Sequence, residues 1–400
     1  MDDQQGPLTR QQWTAIWAGY LGWTLDAFDF FLMVFMLKAI SESFGTDVKA
    51  VSEALFLTLA ARPLGALAFG WLADRIGRRP VLMVVILLFS VLSALSGLAG
   101  SLGQLLIVRA VFGFAMGGEW GIGASLVMET IPARLRGRVS GLLQSGYPSG
   151  YLLASLAFYL FFDTLGWRAM FFLGLVPALL VFLIRFHVEE SPSFVASRAG
   201  PRINMIKALA EHWRLALFLV VLMTAFNFFS HGTQDMYPTF LQKQHGFDTH
   251  ATGLITGIMN VGAIVGAMII GPLSERIGRR RAMILAALLA LPVIPLWAYG
   301  SAPAALAAGA FLIQAAVQGA WSVVPVYLNE LSPPSLRAMF PGFVYQLGNL
   351  IASRNSVIQA GIAERHGGDY SLALMSVTAI TAVVLVACCL FGPERRGAAL

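Results

Sequence analysis

"GWLADRIGRRP" (residues 70–80) and "GPLSERIGRRR" (residues 271–281) are nearly one phrase written twice. Gly70 and Gly271 stand 201 residues apart, as do Asp74 and Glu275. A second pair keeps the same offset: "ETIPARLRG" (129–137) is echoed by "ELSPPSLRA" (330–338), with Glu129 and Arg136 each 201 residues before Glu330 and Arg337. Two independent motifs that share one offset identify a duplicated unit. That unit is about half of the 400-residue chain.

Composition says what the unit is made of. The chain is 57% hydrophobic and only 12% charged, where a soluble domain carries about 25% charged residues. Mean hydropathy is +0.72. Apolar windows long enough to cross a hydrocarbon core of about 30 Å recur along the whole length. They predict helices near 14–40, 53–73, 80–100, 103–129, 138–161 and 168–187, then 213–241, 250–273, 281–300, 303–329, 336–362 and 371–391. The expected fold is an all-α polytopic membrane protein, twelve transmembrane helices in two pseudo-symmetric six-helix bundles. Residues 1–188 and 213–400 form the bundles and 189–212 the linker. An even number of spans per unit makes the repeats parallel.

The remaining bulk features fit that reading. "MDDQQGPLTRQQW" lacks the basic start and short apolar core of a secretion signal, so the first apolar segment is expected to be retained. Cys388 and Cys389 are adjacent, point apart on a helix and support no disulfide. The net charge of +6 is a topology signal rather than a nucleic-acid footprint, because the basic residues fall in alternate loops. Arg75, Arg78, Arg79, Arg134, Arg136, Arg138, Arg198, Arg202, Lys207, Arg276, Arg279, Arg280, Arg281, Arg337, Arg395 and Arg396 all fall on one side. By the positive-inside rule that side, with both termini and the linker, is expected to be cytoplasmic at the cell membrane.

Two groups of residues invite a functional reading. The repeated loop places a small residue for close helix approach (Gly70) beside an acid able to meet the positive end of a neighbouring helix (Asp74). Gly70, Asp74, Arg75, Arg78, Glu275 and Arg276 are therefore candidate gating residues, Glu275 keeping the charge of Asp74 on a longer stem. The arginines alone would also serve topology. The second group is ionisable residues within spans, which are costly there and tend to face a bundle interior: Asp26, Asp29, Arg62, Arg109, Glu119, His231, Asp235 and Arg354. Asp26 and Asp29 share a helix face and suit a proton site, or pair with Arg62 or Arg109. Glu119 joins them as a proton-coupling candidate. Gly113, Gly117 and Gly121 repeat every four residues and allow close helix packing.

"FNFFSHGTQDMYPT" (226–239) concentrates polar residues inside an apolar window. Asn227, His231 and Asp235 recur every four residues, Gln234 lies between their directions, and Thr239 continues one polar face. His231 and Asp235 are spaced for a metal, but no second histidine cluster accompanies them. Neither metal nor cofactor is expected, and no nucleophile–base pair suggests an enzyme.

The pattern N-x-x-S-H-x-T-Q-D-x-x-x-T, filled by Asn227, Ser230, His231, Thr233, Gln234, Asp235 and Thr239, resembles the signature of lactate–pyruvate proton symporters. These belong to the sialate:H⁺ symporter family of the major facilitators. "DAFDFF" (26–31), "GFAMGGEWG" (113–121) and "YQLGNLIAS" (345–353) are similar to that family too, and the loop motif resembles the superfamily's signature. The resemblance implies alternating access and import of a small monocarboxylate with a proton by a monomer. It implies roles in binding and coupling for Asn227, His231, Gln234 and Asp235, and in the carboxylate path for Arg109 and Asn349. Arg62 and Arg354 are further candidates for the carboxylate. The aspartates of the first helix also resemble those of aromatic-acid transporters, which keeps sialate, an aromatic acid or a dicarboxylate open as cargo. An exporter and a non-transporting sensor of acids remain as alternatives.

Overall fold

The computed structural model describes residues 8–46, 48–191, 194–195, 210–337 and 339–397. Most of the linker, with Arg198, Arg202 and Lys207, lies outside the described residues. The first bundle contains α1 (Arg10–Phe44), α2 (Val48–Ile76), α3 (Arg78–Gly97) and α4 (Leu102–Met116, resuming as Glu119–Thr130). α5 comprises Arg136–Gln144 and the start of Gly146–Met170; Gly166, at φ 68°, breaks that helix. After a 3₁₀ turn at Phe171–Leu175, α6 finishes as Val176–His187.

The second bundle repeats the plan. It contains α7 (Trp213–Gln234, resuming as Tyr237–Lys243), α8 (Thr249–Ile277) and α9 (Arg279–Ala290, then Ile294–Tyr299). It ends with α10 (Pro303–Trp321 and Val324–Leu331), α11 (Phe340–Ala352 and Asn355–Arg365) and α12 (Tyr370–Phe391).

Local chemistry fixes several ends. Thr9 and Gln12 form a reciprocal capping box at the start of α1, and Gly45 ends it in the left-handed region at φ 61°. Ser101, Asp248 and Asp369 cap α4, α8 and α12 through their side chains. The seventh window, expected as one helix over 213–241, is instead broken at Asp235 and Met236. Pro238 explains the break: it has no N–H to donate, and its ring collides with the carbonyl four residues back.

Ten helical stretches among the described residues are long and apolar enough to cross a membrane. α5 and α11 carry runs of polar residues: Ser140, Gln144, Ser145 and Ser149 in one, Gln346, Asn349, Ser353 and Asn355 in the other. These same helices make the contacts between bundles, α5 against α8 and α11 against α2. Their polar residues therefore face protein rather than lipid, as Ser140, Gln144, Gln346 and Asn349 do in being buried. Backbones touch where glycine permits: a Cβ on Gly70 would strike Met339, and one on Gly141 would strike the backbone of Ala267 and Gly271.

Candidate functional site

At the end that carries the arginine loops, the two bundles are tied by a reciprocal pair of helix caps. The Met339 N–H donates to Asp74 Oδ2 at 3.2 Å, and the Arg138 N–H donates to Glu275 Oε1 at 2.9 Å. Asp74 ends α2 and meets the start of α11; Glu275 ends α8 and meets the start of α5. Donor and acceptor are each related by the 201-residue offset, so the contacts are one contact seen twice. Each places an acid at a positive helix end. Glu275 makes its contact in spite of its longer stem.

Behind each cap sits a buried ion pair: Arg78 with Asp74 (3.1 Å) and Glu129 (3.2 Å), and Arg279 forked onto Glu330 (3.0 and 3.1 Å). Arg75 and Arg276 do not join them. Both are exposed, and Arg75 lies over the Trp71 ring at 4.0 Å. Ser125 closes the same end by donating to Asn329 Oδ1 (3.1 Å) and to the Arg337 carbonyl (2.7 Å).

Midway along the helices the first bundle holds two ion pairs. Arg109 Nη1 lies 3.1 Å from Asp29 Oδ2, both groups being fully buried. Ser93 donates to the other Asp29 oxygen and to the Phe171 carbonyl, and the guanidinium lies over Phe112 at 3.8 Å. Asp26 is held more loosely: Arg62 Nη2 is 3.9 Å from it and donates to Met116 Sδ at 2.9 Å. Asp26 Oδ1, Arg62 Nε and Arg109 Nε and Nη2 have no partner among the described residues. Of the two readings open for these aspartates, a shared proton site or pairs with Arg62 or Arg109, the structure shows each turned to a different arginine.

α4 brings these groups into place. A Cβ on Gly113 or Gly117 would collide with the backbone of Thr58 or Arg62, so glycine lets α4 lie against α2. The helix then breaks, and Glu119 restarts it, buried beside Gly22 of α1.

The second bundle faces this with amides, hydroxyls and one histidine–aspartate pair. His231 Nδ1 is 3.1 Å from Asp235 Oδ1, and its Nε2 is 3.1 Å from Asn349 Oδ1. Asn349 is also oriented by Gln346 at 3.5 Å. Both ring nitrogens thus face oxygens, which suits the doubly protonated ring. The His231 side chain is 16% exposed and that of Asp235 30%, so water reaches the middle of the protein here. Gln234 and Gln318 both donate to Ser230 Oγ, at 2.5 and 3.3 Å, and Gln314 donates to Thr233. Asn227 donates to the Met223 carbonyl at 2.8 Å. Arg62 lies within electrostatic reach of His231, Tyr147 and Tyr345. Arg354 stands apart: it is exposed at the break in α11 and lies over Phe56 at 5.4 Å.

An aromatic seam crosses between the bundles beside these groups. Trp23 stacks on Tyr147 (5.5 Å), Trp120 and Trp321 meet Tyr345 (4.6 and 5.6 Å), and Trp321 meets Phe226 (5.3 Å). Sequence reasoning passed over the seam, Ser93, and the three glutamines 314, 318 and 346. Trp120 and Trp321 carry the 201-residue offset and were findable by it; Ser93 carried no signal.

The sequence profile of the Major Facilitator Superfamily matches residues 19–251 and 217–399. The chain belongs to that superfamily. It is 28% identical to the "Carboxylic acid transporter protein homolog" of Saccharomyces cerevisiae, over 97% of this chain and 69% of that protein. It is 27% identical to the sialic acid transporter NanX of Escherichia coli, over 93% and 92%. Among solved structures, the proton:xylose symporter XylE superposes with a TM-score of 0.78 at 18% identity, covering 97% of each chain. That likeness is one of fold. A multi-pass major facilitator transporter with two six-helix bundles is thereby shown, with the sialate:H⁺ symporters among its kin.

Proposed function

We propose that this transporter imports a small monocarboxylate, such as lactate or pyruvate, together with a proton. The reading includes a cell-membrane location, cytoplasmic termini and arginine loops, and a chain that acts as a monomer. The bundles within 1–188 and 213–400 rock around the central site, and the latched arginine-loop end makes this the outward-facing form.

The observation that carries the reading is the contrast between two buried arginines. Arg109 is paired with Asp29 at 3.1 Å through Nη1 and sealed from water. Its Nε and Nη2, like Arg62 Nε, have no hydrogen-bond partner among the described residues, so the two arginines differ in how closely a carboxylate holds them. Arg62 has an unpartnered Nε, a thioether as its hydrogen-bond acceptor and a carboxylate only at 3.9 Å. A substrate carboxylate offers that guanidinium the charged, forked acceptor it lacks. Arg62 is therefore the anion site, and Arg109 holds Asp29. Asn227, His231, Gln234 and Asn349 supply hydrogen bonds for a 2-hydroxy or 2-oxo group. Asp26, Asp29 and the His231–Asp235 pair carry the proton. A monoanion moving with one proton transfers no net charge, so a pH gradient drives uptake and membrane potential does not.

Proteoliposomes with an acidic exterior test this directly. Labelled lactate is expected to accumulate, and a potential imposed at equal pH to produce none. Failure to concentrate lactate or pyruvate removes the substrate assignment. The aromatic seam favours a second reading, a ring-bearing acid stacked against Trp23, Trp120 or Tyr345. Stronger competition by an aromatic acid than by pyruvate would select it.

A further inference from the structure

Glu119 is a buried carboxylate outside both ion pairs. It is 1% exposed, and its Oε2 has no hydrogen-bond partner among the described residues. Burying such a group unpaired is costly, and the fold does not require one: the position 201 residues on is Ala320. The surroundings are built around it. A Cβ at Gly22 would occupy the place of Glu119 Oε1. Trp23 Nε1 is a second buried group without a partner. Both side chains line one small cleft with Gly19, Trp120, Leu143 and Pro325.

The position of that cleft is informative. Asp26 lies sixteen residues into α1, about 24 Å from its arginine-loop end at 1.5 Å per residue. Glu119 lies eleven residues before the end of α4, about 16 Å from the same face. Gly19, Leu143 and Pro325 lie nearer still, on α1, α5 and α10. The cleft thus continues from the Asp26 level towards the sealed end. Its Pro325 wall belongs to the second bundle and the rest to the first, so separating the bundles at that end opens it. The charged and titratable groups facing Glu119 are Asp26 on α1, Arg62 on α2 and Tyr345 on α11.

We propose that Glu119 is the release station for the transported proton, loaded from Asp26 and emptied to the arginine-loop side when the bundles part. This rests on the proton-coupled reading above. In the first step the Asp26 O–H bond breaks and a Glu119 O–H bond forms, leaving Asp26 as the carboxylate that Arg62 can approach. In the second, Glu119 gives the proton to water admitted past Pro325, and hydronium leaves.

The experiment uses the full chain in proteoliposomes with lactate as the probe, comparing wild type, Glu119→Gln and Glu119→Asp. Glu119→Gln is expected to reduce acid-driven accumulation more than tenfold while lactate–lactate exchange falls less than threefold, since a loaded carrier still reorients. Glu119→Asp is expected to restore at least a third of accumulation. Accumulation within twofold of wild type in Glu119→Gln overturns the proposal, as does equal loss of accumulation and exchange in both variants. An independent readout is the protonated-carboxyl C=O stretch in infrared pH titration of the detergent-solubilised protein. A titrating band lost in Glu119→Gln supports the station, and its absence from wild type overturns it. If wild type fails to concentrate lactate, the substrate reading falls on that arm alone, while the infrared arm still decides Glu119.

Discussion

Asp26, Asp29, Arg62, Arg109 and Glu119 of the first bundle stand 201 residues before Asn227, Ser230, Ala263, Ala310 and Ala320 of the second. Every one of these middle-depth charges is replaced by a neutral residue. At the arginine-loop end the opposite holds: Asp74, Arg78, Glu129 and Arg136 recur as Glu275, Arg279, Glu330 and Arg337. The difference follows from what each level has to do. A latch between two bodies works best when both contribute the same contact, so its charges are kept in duplicate. A proton site requires groups that change charge, and each such group is costly in low dielectric. The second bundle leaves these five positions uncharged, so they can face a polar cargo without adding charge, and its own titratable pair, His231–Asp235, stands where the first bundle has Phe30 and Val34.

The strongest way to break this comparison is to give the first bundle the neutral character of the second. Arg109→Met leaves Asp29 buried with Ser93 as its remaining partner, and removing one member of a buried pair costs about 3–5 kcal/mol. Thermal unfolding in detergent should show a large drop in Tm and uptake should vanish. Asp29→Asn combined with Arg109→Met should regain most of the stability and none of the proton-driven accumulation. Recovery of accumulation in the double variant would show that the Asp29–Arg109 pair is packing and not coupling.

The latch offers a test in which the bundles should behave alike. Asp74→Ala and Glu275→Ala each remove an acid from a helix N-terminus, worth about 1–2 kcal/mol in a partly buried setting. Each should shift the access equilibrium about tenfold from the latched form, read as labelling of a cysteine placed at the sealed end. Matching shifts support a two-sided latch. A shift from Asp74→Ala alone would mean that Glu275 only shields Arg138, whose side chain is 60% exposed.

Much of this was legible before any coordinates, and the reasons differ by level. The spans followed from hydropathy, and the duplication from two motifs with one offset, because both are periodic and survive without tertiary information. The cap contacts were half legible: Asp74 was expected to meet a helix end, but the identity of that end, α11 of the other bundle, is a tertiary fact. At the centre, pairing of the aspartates with Arg62 or Arg109 was legible only as one of two alternatives. Asp26 and Asp29 share a face by spacing, yet which arginine each meets depends on how closely Gly113 and Gly117 let α4 approach α2. Arg354 shows the same limit: within its sequence it resembles an intramembrane cation, and only the break in α11 turns it outward. α5 and α11 were placed as spans by their apolar windows, although each carries a run of polar residues that faces protein rather than lipid.

The mildest prediction sets one side chain from each bundle against the other. Arg62→Lys keeps the charge and loses the planar fork, so one charge-assisted hydrogen bond to the substrate should go, at about 1.5–3 kcal/mol. Half-saturation for lactate should rise tenfold or more with maximal uptake nearly unchanged, because binding in ground and transition states is weakened alike. Asn349→Ala removes the acceptor of His231 Nε2, a neutral contact of about 1 kcal/mol, and should raise half-saturation about fivefold. The order of the two matters more than either value. If Asn349→Ala costs more than Arg62→Lys, the anion is held by the second bundle, and the assignment of Arg62 as the anion site is wrong. If Asn349→Ala leaves affinity alone but moves the pH profile of uptake, Asn349 acts through the His231 ring rather than on the substrate. That outcome would support the proton role of the His231–Asp235 pair and remove Asn349 from the cargo contacts.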